Sequence, residues 1–166
     1  MTSLKKIIIR EMEFDDLKTV FALGESLFTA DKWPVLYRTW DEYEIIERFI
    51  SDSEFCLVAE TGDKIVGFAL GTIIEKKKSK WGYGYLLWLG VSKKSQGLGV
   101  GRKLINALTK RFVKGGVNIM MADTAEDNEE AQNFFKKHGF DKEEKHVYMF
   151  KNLSEQISQG KFFNLR

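Results

Sequence analysis

The chain has 166 residues, 43% of them hydrophobic and 30% charged, which is the length and composition of one ordinary folded domain. Its 26 basic and 24 acidic side chains nearly cancel and are interspersed, so the sequence lacks the positive field that non-specific nucleic-acid binding needs. One cysteine excludes an intramolecular disulfide, and two histidines without a Cys/His cluster disfavour a structural zinc site. We therefore expect no metal and no nucleic-acid partner.

The unbroken apolar runs of the sequence are too short for a targeting signal or a membrane span. Near the N-terminus the unbroken apolar run is only Ile7 to Ile9, shorter than a signal-peptide core or a bilayer span. We expect a cytoplasmic protein without membrane contact, present as a monomer or homodimer. The predicted single domain covers residues 1–166, with a core at about 7–153 and a C-terminal tail, 154–166, whose role stays open.

The first third of the chain predicts one strand and two helices. The β-branched run "KIIIREM" favours a strand, and residues 17–28 then repeat apolar side chains at helical spacing. Thr39 followed by Glu42 has capping-box spacing and predicts the start of a second helix. The predicted apolar side of that helix carries Tyr43, Ile46, Phe49 and Ile50.

Three β-rich runs follow, "FCLVAE", "KIVGFALGTIIE" and "GYGYLLWLGV". They are separated by Thr61-Gly62-Asp63 and by "KKKSKWG", which predicts an antiparallel meander. The lysine run at 76–80 has two interpretations, the solvated tip of a hairpin or a docking patch for an anion. Cys56, in the first of these strands, is interpreted as a small core residue.

The second half predicts a helix, a strand, a helix and a last strand. Apolar residues at helical spacing mark a helix that begins near the glycines of "SQGLGVGRKL" and ends at Gly115-Gly116. "VNIMMADT" predicts a strand, and the helix after it ends at "HGF", with Gly139 at the C-cap. "HVYMFKNL" predicts the last strand. The predicted order is β-α-α-β-β-β-α-β-α-β, an α/β (α+β) fold.

The three alternating glycines of "SQGLGVGRKL" match neither of two familiar phosphate loops. A dinucleotide fingerprint that starts at Gly97 would need its third glycine at Arg102, and a Walker A loop would need Ser or Thr where Leu104 follows Lys103. Both loops share a tight turn that leads into a helix N-terminus, whose N–H groups and positive dipole end suit a pyrophosphate. The alternative is a plain glycine-rich turn between a strand and a helix.

Two blocks of the sequence resemble the motifs of the GNAT superfamily of N-acetyltransferases, over residues 7 to about 153. "VSKKSQGLGVGRKLI" is similar to its acyl-CoA-binding motif, with Gln96, Gly99 and Gly101 at the motif positions and Val91 at the end of the preceding strand. "NEEAQNFFKKHGF" is similar to a second block, with matches at Asn128, Ala131, Phe134, Gly139 and Phe140. The resemblance implies a central mixed, mostly antiparallel sheet flanked by helices.

The resemblance also implies a site for acetyl-CoA. The pyrophosphate would bind the N–H groups of the glycine loop, and the pantetheine arm would lie along the edge of the strand at Leu89-Gly90-Val91, with Gly90 as a bulge that separates this strand from "VNIMMADT". Asn128 would hydrogen-bond the arm, and Lys137 is either a phosphate contact or an exposed helix lysine. The implied cofactor-binding residues are Leu89, Gly90, Val91, Gln96, Gly97, Leu98, Gly99, Val100, Gly101, Arg102, Asn128, Phe134 and Lys137.

Acetyl transfer requires a neutral amine, and because a primary amine has a pKa near 10, a proton acceptor is useful. Asp123 matches the position at which the branch resembling ribosomal-protein alanine acetyltransferases carries a glutamate assigned as general base; otherwise it caps the next helix. Phe135 departs from the family, which usually has there a tyrosine thought to protonate the leaving sulfur. Either Tyr148 or solvent would replace that acid, unless Tyr148 is an ordinary strand aromatic.

Acceptor binding is assigned to Trp33 and Tyr37, in an aromatic connection with acidic residues nearby that suits a cationic amine. The same aromatics also fit a plain core. Three functions remain open. The first is an acetyl-CoA-dependent N-acetyltransferase acting on a small amine or on the N-terminus or a lysine of a peptide or protein. The second is an acyl-CoA-binding regulatory module with weak or no catalysis, and the third is a nucleic-acid-binding domain that uses the lysine run.

Overall fold

The computed structural model describes residues 6–29, 39–75, 82–149 and 151. The strands within these ranges are β1 Ile7–Glu11, β2 Cys56–Thr61, β3 Lys64–Glu75, β4 Gly82–Val91 and β5 Ile119–Ala122. The helices are α1 Leu17–Leu27, α2 Glu42–Ser51, α3 Val100–Lys114 and α4 Glu129–Lys137. Four features of the sequence analysis lie outside the described residues: the lysine run 76–80, Trp33, Tyr37 and the tail 154–166.

The sheet has the spatial order β1-β2-β3-β4-β5. Strands β1 to β4 pair antiparallel with their neighbours, and β5 joins the edge parallel to β4. The expected mixed, mostly antiparallel sheet is confirmed, as is the meander of β2, β3 and β4. Those three strands are bounded by turn residues and a lysine-rich run, which is why the sequence places their ends closely.

Helices cover both faces of the sheet. On one face, α1 and α2 enclose a core in which Val20 and Ile45 pack against Phe68 and Trp88 of the sheet. On the other face, α3 lays Leu104 and the buried residues that follow it at helical spacing over the sheet. Cys56 is fully buried, and burial raises the pKa of its thiol to about 12, which confirms it as a core residue.

An ion-pair network joins β1 to β2 at the edge of the sheet. The guanidinium of Arg10 donates hydrogen bonds to Asp16 at 2.6 Å and to Glu60 at 2.5 Å. The bond from Arg10 holds the pKa of the Asp16 carboxyl below its usual value. The network fastens the chain leaving β1 to the sheet, so that α1 begins in a fixed place.

The predicted start of α2 was wrong, and so was its predicted apolar side except at Phe49, which is partly buried against the core. The helix is capped by Asp41, whose carboxylate accepts a hydrogen bond from the Glu44 N–H at 2.8 Å, rather than by Thr39. Ile45 is 1% exposed and faces the core, whereas Tyr43 is 73% and Ile50 is 77% exposed. Successive helical residues point about 100° apart, so a small error in register exchanges the buried and exposed sides.

The predicted last strand is also wrong for the residues that the structure describes. Residues 146–149 and 151 have no regular secondary structure. Val147 and Met149 are 83% and 92% exposed, so their apolar side chains do not pack as those of a sheet would. High β propensity alone does not make a strand, because its stability comes from pairing and from the burial of one face.

Candidate active site

The glycine loop leads into a helix start that has no side-chain cap. Gly97 and Gly99 have φ values of 76° and 82°, in the left-handed region that favours glycine, and Gly99 is the N-cap of α3. The Lys103 N–H donates to the Gly99 carbonyl at 3.1 Å. The N–H groups of the preceding helical residues, Val100 to Arg102, therefore have no carbonyl partner within the helix. They form the donor set that a bound anion would use.

The third glycine of the loop has a packing role. A Cβ on Gly101 would lie 3.0 Å from the ring of Phe134, so its absence lets α4 pack against the first turn of α3. Phe134 is thus brought to the loop, as the resemblance implies. Lys137 is exposed in the last turn of α4 and shares a face with Phe134, because residues three apart on a helix are neighbours.

Strands β4 and β5 separate immediately before this loop. Their parallel pairing covers Tyr83 to Leu86 of β4 and stops there, although β4 continues to Val91. The Ser92 N–H donates to the Val66 carbonyl at 2.8 Å. Because bonding directions alternate along an antiparallel pair, the main-chain groups of Leu89 and Val91 point away from β3, into the opening. An extended molecule could pair with this strand edge.

The bulge that accompanies the separation is at Leu87 and not, as expected, at Gly90. Leu70 lies opposite Trp88 and Gly71 lies opposite Leu86, which leaves Leu87 as the extra residue of β4. Gly90 is in regular register, opposite Phe68. A Cβ there would lie 2.6 Å from the Phe68 ring, so close packing under the sheet explains this glycine.

Asp123 lies at the apex of the opening. It directly follows β5, and the Tyr85 hydroxyl donates a short hydrogen bond to its Oδ1. Tyr85 is opposite Met121, so Asp123, two positions after Met121, emerges on the same face of the sheet. Tyr85 could not be recognised from the sequence, because a tyrosine in a β-rich run has the same signature as a packing aromatic.

A cavity of about 400 Å³ adjoins Asp123. Its lining includes Phe135 and Tyr148, so the structure brings together the expected base, the phenylalanine that departs from the family and the alternative acid. The Phe135 ring packs against those of Phe134 and Phe140, with centroids 5.7 and 5.1 Å away. Tyr148 is exposed, with its ring 4.7 Å from that of His146.

Asn128 begins α4 at the other side of the opening. Its Oδ1 accepts a hydrogen bond from the Ala131 N–H at 3.1 Å, so the side chain is the N-cap of the helix. The side-chain amide also carries two N–H donors that capping does not use. These donors are the groups that can bind the carbonyls of an extended arm.

Near the sequence segment predicted to bind the acceptor, the structure describes Trp40, α2 and the end of β4. Trp88 Nε1 donates to Glu44 Oε1 at 3.2 Å, which fixes one carboxylate of the acidic rim. Trp40 is 8% exposed and packs its ring against those of Phe28 and Phe68, so this tryptophan is a core residue. Trp33 and Tyr37 lie outside the described residues.

The described residues form neither a metal site nor a membrane-spanning helix. Within ranges 6–29, 39–75, 82–149 and residue 151, no three His, Cys, Asp or Glu side chains are grouped so that they could hold a metal ion. The helices of the same ranges include none that is both long and apolar enough to cross a membrane.

An uncapped helix start, a strand edge opened beside it and a carboxylate at the apex are features that an acyl-CoA-binding protein would need. The chain belongs to the acetyltransferase (GNAT) family, whose model matches residues 25–140.

The chain is similar to a curated acetyltransferase and to solved structures of proteins bound to CoA bisubstrate analogues. An L-2,4-diaminobutyric acid acetyltransferase of Marinococcus halophilus is 30% identical over 113 residues, which are 65% of this chain and 63% of the relative. The match thus spans less than two thirds of that protein. Naa50 of Arabidopsis thaliana, solved with the bisubstrate analogue CoA-Ac-MVNAL, is 28% identical, with a TM-score of 0.63 over 80% of this chain and 82% of its own. AAC(6')-Iy, with a TM-score of 0.71 over 89% of this chain and 99% of its own, is 21% identical and shows the shared fold.

Proposed function

We propose that this protein is an acetyl-CoA-dependent N-acetyltransferase in which a primary amine attacks the thioester directly. One observation carries the proposal: the separation of β4 from β5 at Leu86 places an open strand edge between the uncapped start of α3 and the carboxylate of Asp123. Acetyl-CoA supplies an acetyl group activated as a thioester. Family membership supports the same assignment.

The residues of the loop and of the strand edge hold the co-substrate. The N–H groups at the start of α3, with Arg102 beside them, bind the pyrophosphate through hydrogen bonds and the helix dipole. The N–H and C=O of Leu89 bind the extended arm as a neighbouring strand would, and the Asn128 amide donates to it. Binding along a rigid edge orients the reacting end toward the apex.

Asp123 accepts the proton of the incoming amine, directly or through one water. Its carboxylate lies where the open edge meets the cavity, so an amine in the cavity can reach both the carboxylate and the end of the arm. Phe135 has no hydroxyl to donate. Solvent or Tyr148 therefore protonates the departing thiolate. Because a cysteine-like thiol has a pKa of about 8.5, the thiolate is a reasonably good leaving group, and a proton donor from the protein is helpful rather than essential.

The acceptor that we propose is a cationic amine of a small molecule or of a peptide. The Glu44 carboxylate, held by Trp88, and Asp123 give the described surface two acidic groups on the side of the acceptor. The names of similar proteins offer three acceptor types to test: a diamino acid, an aminoglycoside, since AAC(6')-Iy is named an aminoglycoside N-acetyltransferase, and a peptide, as in the CoA-Ac-MVNAL analogue bound to Naa50. We place the reaction in the cytoplasm, with the protein as a monomer or homodimer.

The direct test measures CoA release from acetyl-CoA with panels of those three acceptor types. Amine-dependent release over many turnovers is the expected result, with the acetylated amine identified by mass. Tight acetyl-CoA binding without release across all three panels would instead establish the regulatory module. Binding that survives substitution throughout the loop would exclude the assigned pyrophosphate site.

Replacing the proposed base gives a pH-dependent prediction. Asp123→Asn should retain acetyl-CoA affinity and lower kcat/KM by about 10²-fold near neutral pH, because a general base is lost. The deficit should shrink as pH rises, since more of the amine is then already deprotonated in solution. The ratio of wild-type to variant kcat/KM, measured at several pH values with folding checked at each, decides the role. A ratio near one throughout would remove Asp123 from the mechanism.

A further inference from the structure

The hydrogen bond between Tyr85 and Asp123 joins the two strands at the point where their main chains part. The last main-chain pair of β4 and β5 is Leu86 with Ala122. Tyr85 lies one position before that pair and Asp123 one position after it, on the opposite strand. The phenol and the carboxylate thus meet across the base of the opening, at the closed end of the proposed arm-binding edge.

The position of Tyr85 is fixed by the sheet. It is opposite Thr72 in β3, and the Thr72 hydroxyl donates to Asp52 Oδ1 at 3.0 Å, at the end of α2. The backbone of Tyr85 is held between β3 and β5, which both pair with β4 at this residue. A donor mounted on the centre of a sheet has little freedom to follow a moving carboxylate. Asp123, by contrast, is the first residue after β5, where the regular structure ends.

Other ionisable groups face Asp123 across the cavity. Two ion pairs, Lys145 with Glu126 at 2.7 Å and Lys136 with Glu143 at 2.9 Å, contribute charges of both signs. Lys142, Glu144 and His146 also line the cavity. An activity profile alone would not separate the protonation of Asp123 from that of these other groups. A measurement on the Asp123 carboxyl itself separates the two.

A carboxylate has two oxygens, and the bond from Tyr85 occupies Oδ1. With that oxygen held, the plane of the carboxylate is fixed relative to β4. A hydrogen bond donated to the ionised form also favours that form, which is the form a base must have before it acts. Both effects concern the amine side of the reaction and leave the glycine loop untouched.

We propose that Tyr85 is the positioning residue of the general base, holding the Asp123 carboxylate ionised and oriented toward the acceptor amine. This inference rests on the proposed acetyl transfer, and it goes beyond it by giving a role to a residue that neither family motif contains. The purely structural alternative is that Tyr85 only clamps β4 to β5. The two roles differ in what the removal of one hydroxyl oxygen does to Asp123.

The chain provides a matched control on the same strand. Tyr83 lies two positions before Tyr85, on the same face of β4, but opposite Ile119 rather than next to Asp123. Tyr83→Phe and Tyr85→Phe remove the same atom from the same strand. An effect on sheet stability alone would therefore appear in both variants, whereas an effect on Asp123 would appear only in the second.

The test combines NMR titration of the Asp123 carboxyl, in the protein without acetyl-CoA, with steady-state kinetics. Tyr85→Phe should raise the pKa of Asp123, shift the acidic limb of kcat/KM to higher pH and lower kcat about tenfold, with KM for acetyl-CoA unchanged. Tyr83→Phe should do none of these. In an Asp123→Asn background, Tyr85→Phe should cause no further loss, because the group that it positions is already gone.

Each other outcome is decisive. An unchanged Asp123 pKa in Tyr85→Phe, equal effects of Tyr85→Phe and Tyr83→Phe, or a tenfold loss that persists in the Asp123→Asn background would overturn the positioning role while acetyl transfer stands. A wild-type protein that releases no CoA with any amine panel would overturn the proposed function, and the positioning role with it. The NMR readout does not depend on turnover, so the two failures are distinguishable.

Discussion

The first turn of α3 contrasts with the first turns of α2 and α4. In α2 the Asp41 carboxylate accepts the Glu44 N–H at 2.8 Å, and in α4 the Asn128 side chain accepts the Ala131 N–H at 3.1 Å. Both helices also carry two glutamates in the first turn, where negative charge complements the helix dipole. One of the orphan N–H donors of each of these two helices is thus satisfied by a side-chain cap, and the glutamates complement the positive end of the dipole.

Helix α3 has none of these features. Its N-cap is Gly99, its first turn has no acidic residue, and Arg102 places a positive charge at the positive end of the dipole. Such an arrangement costs a few tenths of a kcal/mol to about 1 kcal/mol in the free protein. Of these three helix starts, those of α2 and α4 are each capped by a side chain of the chain itself, whereas that of α3 is not, which makes it the start that we propose for anion binding.

The largest effect is expected when α3 is given the acidic first turn of its neighbours. Arg102→Glu should lower acetyl-CoA affinity on the order of 10²-fold, because attraction to the pyrophosphate becomes repulsion. The free protein should not be destabilised, since a glutamate favours the dipole at this end. Arg102→Ala should have a smaller effect, because the main chain and the dipole remain. Calorimetric titration and thermal unfolding measure the two quantities.

Lys110→Glu is the control for that charge reversal. Lys110 is exposed in the same helix, well away from its first turn, so the net charge changes equally without a new charge beside the loop. Affinity should stay within about twofold of wild type, as screening weakens distant surface charges. Equal losses for Arg102→Glu and Lys110→Glu would mean that α3 binds no anion at its start.

A smaller effect is expected from straining the loop that precedes α3. Gly97→Ala should cost about 1 kcal/mol of stability, because an L residue must adopt a φ of 76°, and should weaken acetyl-CoA binding about tenfold. Gly116→Ala, with a φ of 84° at the other end of α3, should cost the same stability and leave binding unchanged. An added Cβ meets nothing within 4 Å at either glycine, so the strain is matched.

Much of the fold could be predicted because its signals are local. The runs that became β2, β3 and β4 are bounded by turn residues, and the buried stripe of α3 repeats at helical spacing. The last strand failed because the propensity of "HVYMFKNL" says nothing about whether a partner strand or a buried face is available. The start of α2 failed because Thr39 and Asp41 are both acceptable caps, and only the structure selects Asp41. Its apolar side failed because apolar residues are spread around the helix, and only the packing against the sheet selects Ile45.

In the candidate site, too, local features could be predicted from the sequence, whereas features that depend on strand pairing could not. The glycine loop and Asp123 were predicted from a family motif and a strand end, which are local features, and in the structure both lie beside the separation of β4 from β5. The bulge at Leu87 depends on the register of β4 against β3, which a single sequence does not specify. The bond of Tyr85 to Asp123 joins residues 38 positions apart, and only the parallel pairing of β4 with β5 brings them together.

The smallest effects are expected from removing the side-chain caps of α2 and α4, where stability and acetyl-CoA affinity should respond differently. Asp41→Ala and Asn128→Ala should each lower the free energy of unfolding by about 1 kcal/mol, because each removes an N-cap acceptor. Asn128→Asp should keep the stability of wild type, since a carboxylate caps as well as an amide oxygen. It loses the amide donors, however, so acetyl-CoA affinity should fall a few-fold in both Asn128 variants and stay unchanged in Asp41→Ala. Urea unfolding and calorimetric titration on the same samples test this. If Asn128→Asp binds acetyl-CoA as wild type does, Asn128 acts only as the cap of α4, and the proposed arm is held by the strand edge alone.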